Sequence, residues 1–130
     1  MNQCKNGPKT VIFMIGINDL STRAPADVVK DIENTLCYMK EKLPNLEVVL
    51  LSVNHCVYWT SLKSSISQTN NLMKSFSNKH DWIYFADVEY AFCDDGQNPS
   101  ARWFTDGIHL TDAGYTDVIV PAIEKALQKK

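Results

Sequence analysis

Three short apolar runs alternate along the chain with stretches in which apolar residues recur every three or four positions. The runs are Val11–Ile15, Leu46–Val53 (LEVVLLSV) and Trp82–Ala86 (WIYFA). Their length and their β-branched and aromatic content predict β-strands. They do not alternate apolar with polar, so they predict strands covered on both faces, as in a parallel sheet. Between the first two, Val28, Ile32, Leu36, Met39 and Leu43 share one helical face, predicting a helix from about Pro25 to Leu43. Pro25 suits a first helical turn, and Pro44-Asn45 stops the helix. A second helix is predicted from about Ser61 to Asn78, with Leu62, Ile66, Met73 and Phe76 as its face. A third is predicted from about Asp112 to Leu127, with Pro121 kinking or interrupting it.

The order β-α-β-α-β-loop-α defines the layered α/β class, with a parallel sheet and right-handed crossovers. In such sheets functional groups collect beyond the carboxyl ends of the strands. Three polar clusters fall at such ends: Gly16-Ile17-Asn18-Asp19, Asn54-His55-Cys56, and the segment Asp87–Phe92.

Composition narrows the field by exclusion. A chain of 130 residues is one domain's worth, and 45% hydrophobic with 22% charged residues is globular rather than disordered. A net charge of −2 gives no electrostatic reason to expect nucleic acid or an anionic membrane as partner. No apolar run approaches the ~20 residues of a membrane span. Met1–Thr10 is polar and carries no signal-peptide pattern, which favours a cytoplasmic location. The cysteines, Cys4, Cys37, Cys56 and Cys93, form no C-x-x-C pair and read as reduced, small apolar residues. His55, Cys56, Cys93 and Asp94 lack metal-ligand spacing.

Candidate chemistry lies in two stretches. In WFTDGIHLTDAGY, residues 103–115, Asp106 stands three residues before His109. A carboxylate so close to an imidazole can fix its tautomer and stabilise the imidazolium, the base half of an acyl-transfer site. Equally, Asp106 and Thr111 suit a turn and a helix cap. The Asn18 amide at a strand end suits either an oxyanion donor or a turn or cap residue.

Together, Gly16-Ile17-Asn18-Asp19 and Asp106-Gly107-Ile108-His109-Leu110-Thr111 with Gly114-Tyr115 resemble the blocks of the SGNH (GDSL-type) hydrolase family, in order and in separation. The resemblance covers almost the whole chain. It implies a flavodoxin-like three-layer α/β/α fold and ester hydrolysis through an acyl-serine, with no metal or organic cofactor. It gives Asp106 and His109 the acid and base of a triad and Asn18 a side-chain oxyanion role. Gly16 and Asp19 would shape and support the loop.

One departure stands out. The family's serine belongs to a G-D-S block at the end of its first strand, and a second oxyanion glycine follows its second strand. The fifteen residues before Gly16 contain no serine, and no serine elsewhere, Ser21 included, stands in such a block. The expectation is therefore a single domain over residues 1–130 that lacks its first strands, with Val11–Ile15 at an uncovered edge. That edge would self-associate or pair with a missing N-terminal segment. The alternative is an inactive remnant that binds a ligand or partner. A phosphate-binding module using Asp19 or Asp87 lacks a clustered acidic pair and a Gly-rich loop. Tyr58, Trp59, Trp103 and Phe104 either line an acyl or sugar pocket or belong to the core. Acetylated carbohydrate, short-chain ester and lysolipid all fit as substrates.

Overall fold

The computed structural model describes residues 10–14 and 17–128. Met1–Lys9 (with Cys4), Ile15 and Gly16 lie outside the described residues. Three parallel strands form one sheet in the order β1 (Thr10–Phe13), β2 (Glu47–Leu51), β3 (Ile83–Ala86). Val11 is opposite Val48, and Val48 is opposite Ile83. The central strand is the most apolar, and Val48, Val49, Leu50 and Leu51 are all buried. Burial of both faces demands cover on both. Helices α1 (Pro25–Lys42) and α2 (Lys63–Asn78) pack against each other on one face. The C-terminal helix α4 (Val120–Leu127) packs on β2 and β3 from the other.

Helix α1 starts and stops where its composition dictates. Pro25 occupies the first turn, where its missing N–H costs nothing, and Lys40 and Lys42 sit in the last. Lys40 Nζ also donates to the Leu46 carbonyl at 2.9 Å, tying the helix end to the start of β2. The apolar stripe Val28, Ile32 and Leu36 is buried as the spacing predicts. Each such fully buried side chain stabilises the fold by about 1.5–3 kcal/mol relative to exposure.

Three details differ from the sequence expectation. The run Leu46–Val53 forms strand only to Leu51, because the Val53 backbone bonds the Asn70 side chain instead of a neighbouring strand. Helix α2 is entered through a 3-10 turn, Thr60–Leu62. The last helix is neither broken nor simply kinked. A short α3 (Asp112–Gly114) widens into a π-helical turn, Tyr115–Ile119, before α4. Pro121 has no N–H for the Asp117 carbonyl, and its ring would crowd that oxygen in an α-helix. The wider turn relieves this, and the Val120 N–H reaches back to the Tyr115 carbonyl.

Strand β1 is also less covered than its run of apolar residues predicts. Its side chains alternate between half-buried (Val11, Phe13) and exposed, with Ile12 52% exposed. Among the described residues, no strand pairs with its outer edge.

Candidate active site

The loop between Phe104 and Leu110 is closed at its base by an isolated antiparallel bridge between these two residues. The Thr105 N–H donates to the His109 carbonyl at 2.8 Å. Inside the loop, Asp106 Oδ1 accepts the backbone N–H groups of Ile108, at 2.9 Å, and His109, at 2.7 Å. That is an Asx turn, the ordinary use of aspartate in a tight loop. The second oxygen, Oδ2, lies 2.7 Å from His109 Nδ1. Gly107 makes the turn feasible with φ +88°, a backbone region that side chains disfavour. Its carbonyl accepts the Tyr58 N–H at 2.8 Å. Thr111 then caps α3, its hydroxyl accepting the Gly114 N–H at 3.2 Å. Gly114 packs closely there, and a Cβ would lie 3.3 Å from Leu110 Cβ, a tight approach that the neighbour would have to accommodate.

Hydrogen bonds hold the Asp106 carboxyl well below the usual carboxylate range. The largest contribution is the His109 backbone N–H, followed by the His109 ring and the Ile108 N–H. Asp106 is therefore ionised at neutral pH, and its Oδ2 selects the His109 tautomer protonated on Nδ1. Nε2 is left with a free lone pair. The side chains of His109 and Asp106 are 72% and 53% exposed, so the pair opens to solvent. Its consequence is orientation more than stability.

Asn18 lies on a 3-10 turn, Ile17–Ser21, just beyond the carboxyl end of β1. Buried Ile17 and Leu20 anchor that turn, and Asn18 faces outward. A cavity of about 140 Å³ brings Asn18 together with His109, Met14, Asn54, Cys56 and Tyr115. It sits beyond the carboxyl ends of β1 and β2, as the layered α/β class predicts. Asp19 is exposed, and its backbone carbonyl accepts the Thr22 and Arg23 N–H groups. Gly16 lies outside the described residues.

No serine is among the described residues lining this cavity. Ser21 Oγ donates to the Asn18 carbonyl at 2.6 Å. Ser52 and Ser67 hydrogen-bond Asp87 and Glu89. Cys56 lines the cavity, but burial pushes its thiol pKa up, against backbone N–H groups of Trp59 and Tyr58 that favour the thiolate. A raised thiol is protonated at neutral pH and is a poor nucleophile. Among the described residues, no three His, Cys, Asp or Glu side chains gather as a metal site.

The four aromatic candidates divide. Trp103 and Phe104 are buried in the core, while Tyr58 is 62% exposed. Half-buried Trp59 packs on the core and directs its indole Nε1–H to Asn18 Oδ1 at 3.3 Å.

A polar network behind the cavity was not anticipated from the sequence. Glu89 receives Asn70 Nδ2 at 2.9 Å, Ser67 Oγ at 2.7 Å and the Nε2 of buried His55 at 3.1 Å. Burial pushes the Glu89 carboxyl up, but bonds from Asn70, Ser67 and His55 outweigh it and the net shift is down. Asn70 also brackets Val53, accepting its N–H at 2.7 Å and donating to its carbonyl at 2.8 Å. The network thus fixes Val53, at the rear of the cavity. The available signal was an asparagine on the apolar stripe of α2, four residues after Ile66 and three before Met73.

A family model described as GDSL-like Lipase/Acylhydrolase family matches residues 3–116. Comparison with curated proteins gives no significant match. Among solved structures, one assigned as a platelet activating factor from Streptococcus pneumonia superposes with a TM-score of 0.76 at 20% identity, covering 94% of this chain and 60% of that one. A GDSL-like lipase assigned in Parabacteroides merdae gives 0.74 at 20% identity, over 95% of this chain and 62% of that one. A carbohydrate esterase family 3 protein from Talaromyces cellulolyticus gives 0.73 at 19% identity, over 93% and 58%. At these identities the superpositions establish the α/β fold. The chain spans about three fifths of the length of these structures.

Proposed function

The chain belongs to the GDSL-like lipase/acylhydrolase family, and on that premise we propose that it carries the acid, the base and one oxyanion donor of an ester hydrolase. The serine comes from a segment outside these 130 residues. Residues 1–130 then form a single but incomplete domain, and the outer edge of β1 is where the serine-bearing segment pairs.

The observation that carries this reading is the 2.7 Å contact of His109 Nδ1 with Asp106 Oδ2 on a cavity shared with Asn18. The serine hydroxyl attacks the ester carbonyl while His109 Nε2 takes its proton. Asp106 stabilises the resulting imidazolium and keeps the ring in place. Asn18 Nδ2 donates to the oxygen on which negative charge develops. The imidazolium protonates the departing alcohol, leaving an acyl-serine. Water, deprotonated by His109, then releases the carboxylic acid and restores the serine. The chemistry calls on no cofactor. Carboxylic esters, O-acetyl esters among them, are the substrate class that the family suggests.

Hydrolysis of p-nitrophenyl acetate tests the proposal. The 130-residue chain alone is expected to show no fluorophosphonate-sensitive turnover. Joined to a segment bearing a G-D-S block, it is expected to gain turnover that His109→Ala lowers by several orders of magnitude. Full activity of the joined His109→Ala protein would overturn the assignment. A joined protein that folds but never turns over would favour the binding-module alternative.

A further inference from the structure

An asparagine amide can serve an oxyanion only if its nitrogen, not its oxygen, faces the reacting atom. The two ends are nearly equal in shape and opposite in hydrogen-bonding sense. An exposed Asn18 side chain in water would flip freely between them. Trp59 resolves this ambiguity. Its indole Nε1–H, a donor that cannot accept, lies 3.3 Å from Asn18 Oδ1. Trp59 does not line the cavity, whereas Asn18 does. With Oδ1 turned to the indole, the planar amide directs Nδ2 away from Trp59.

Trp59 is itself well fixed. Its ring packs on the core and meets Tyr58 edge-on, with centroids 4.8 Å apart. Its carbonyl accepts the Leu62 N–H at 3.0 Å. The preceding residue holds the other half of the site, since the Tyr58 N–H donates to the Gly107 carbonyl at 2.8 Å, within the Asp106–His109 loop. Two consecutive residues of the loop after β2 therefore touch both stretches on which the proposed chemistry depends.

We propose that Trp59 is a positioning residue that holds the Asn18 amide with its nitrogen toward the cavity. The inference deepens the hydrolase reading and rests on it for the meaning of Asn18. Its test is separate, because it reads the hydrogen bond and not turnover.

The experiment is ¹⁵N NMR of the full chain, with the indole groups of Trp82 and Trp103 as internal controls. In Asn18→Ala, solvent exchange of the Trp59 indole proton is expected to quicken about tenfold, the factor that a hydrogen bond of ordinary net strength provides. In Asn18→Asp, which keeps an oxygen acceptor, slow exchange is expected to persist. In Trp59→Phe, which keeps a ring but loses the donor, the Asn18 Nδ2 group is expected to gain nanosecond motion while the controls stay unchanged. An indole signal indifferent to Asn18→Ala, or an Asn18 Nδ2 group equally rigid in Trp59→Phe, would overturn the proposal. Either result would leave the ester assay free to support the family chemistry on its own.

Discussion

The two oxygens of Asp106 divide their work. Oδ1 builds the turn by accepting two backbone N–H groups, and Oδ2 orients the His109 ring. All of these donors favour the ionised carboxyl, so its folded pKa lies below the unfolded value of about 3.9. A depressed carboxyl stabilises the fold fully above the unfolded pKa, and that contribution is lost as pH falls through the lower, folded value. In a ¹³C NMR titration, Asp106 is expected to be largely ionised at about pH 3.9, where an unperturbed aspartate is half protonated. A midpoint at or above that pH would contradict the turn geometry. The pairing of Asp106 with His109 was legible because the two stand only three positions apart. The bond from Trp59 to Asn18 was not, since the two stand 41 positions apart and an indole carries no periodic signal.

At the scale of elements, strand and helix positions followed from apolar spacing because burial is what the spacing encodes. The end of β2 and the form of the last helix did not follow, since side chains decide them locally. Asn70 on α2 takes over both backbone groups of Val53, so the strand stops short of it. Pro121 denies one hydrogen bond, so the helix widens into a π turn and continues. The first case permits a quantitative prediction. Asn70→Ala would leave the buried N–H and C=O of Val53 unpaired and take one donor from Glu89. Unsatisfied buried groups cost about 1–3 kcal/mol each, so a total near 3 kcal/mol is expected. Urea unfolding measures it. A loss within about 0.5 kcal/mol would mean that water satisfies Val53 in the variant, as it does at ordinary surface sites.

For the molecule as a whole, the sheet is covered unevenly. Helices α2 and α4 cover the faces of β3, whereas β1 has half-exposed side chains and, among the described residues, no strand paired with its outer edge. Ile12 is 52% and Met14 43% exposed, and Met14 lines the same cavity as the exposed Tyr115. Unpaired backbone groups beside uncharged apolar side chains form a template for another chain. The 130-residue chain is therefore expected to self-associate through β1. In size-exclusion chromatography with light scattering, its apparent mass should rise with concentration. Ile12→Lys places a charge on the exposed side chain of that edge, as natural edge strands often do, and should shift the protein toward monomer. It should do so with a modest loss of stability, because Ile12 is already about half exposed. A serine-bearing segment that pairs there would have the same effect by occupying the edge, and would compete with self-association. A wild-type chain that stays monomeric at every concentration, with Ile12→Lys indistinguishable from it, would show that the edge is covered in solution and would remove the physical basis for pairing at β1.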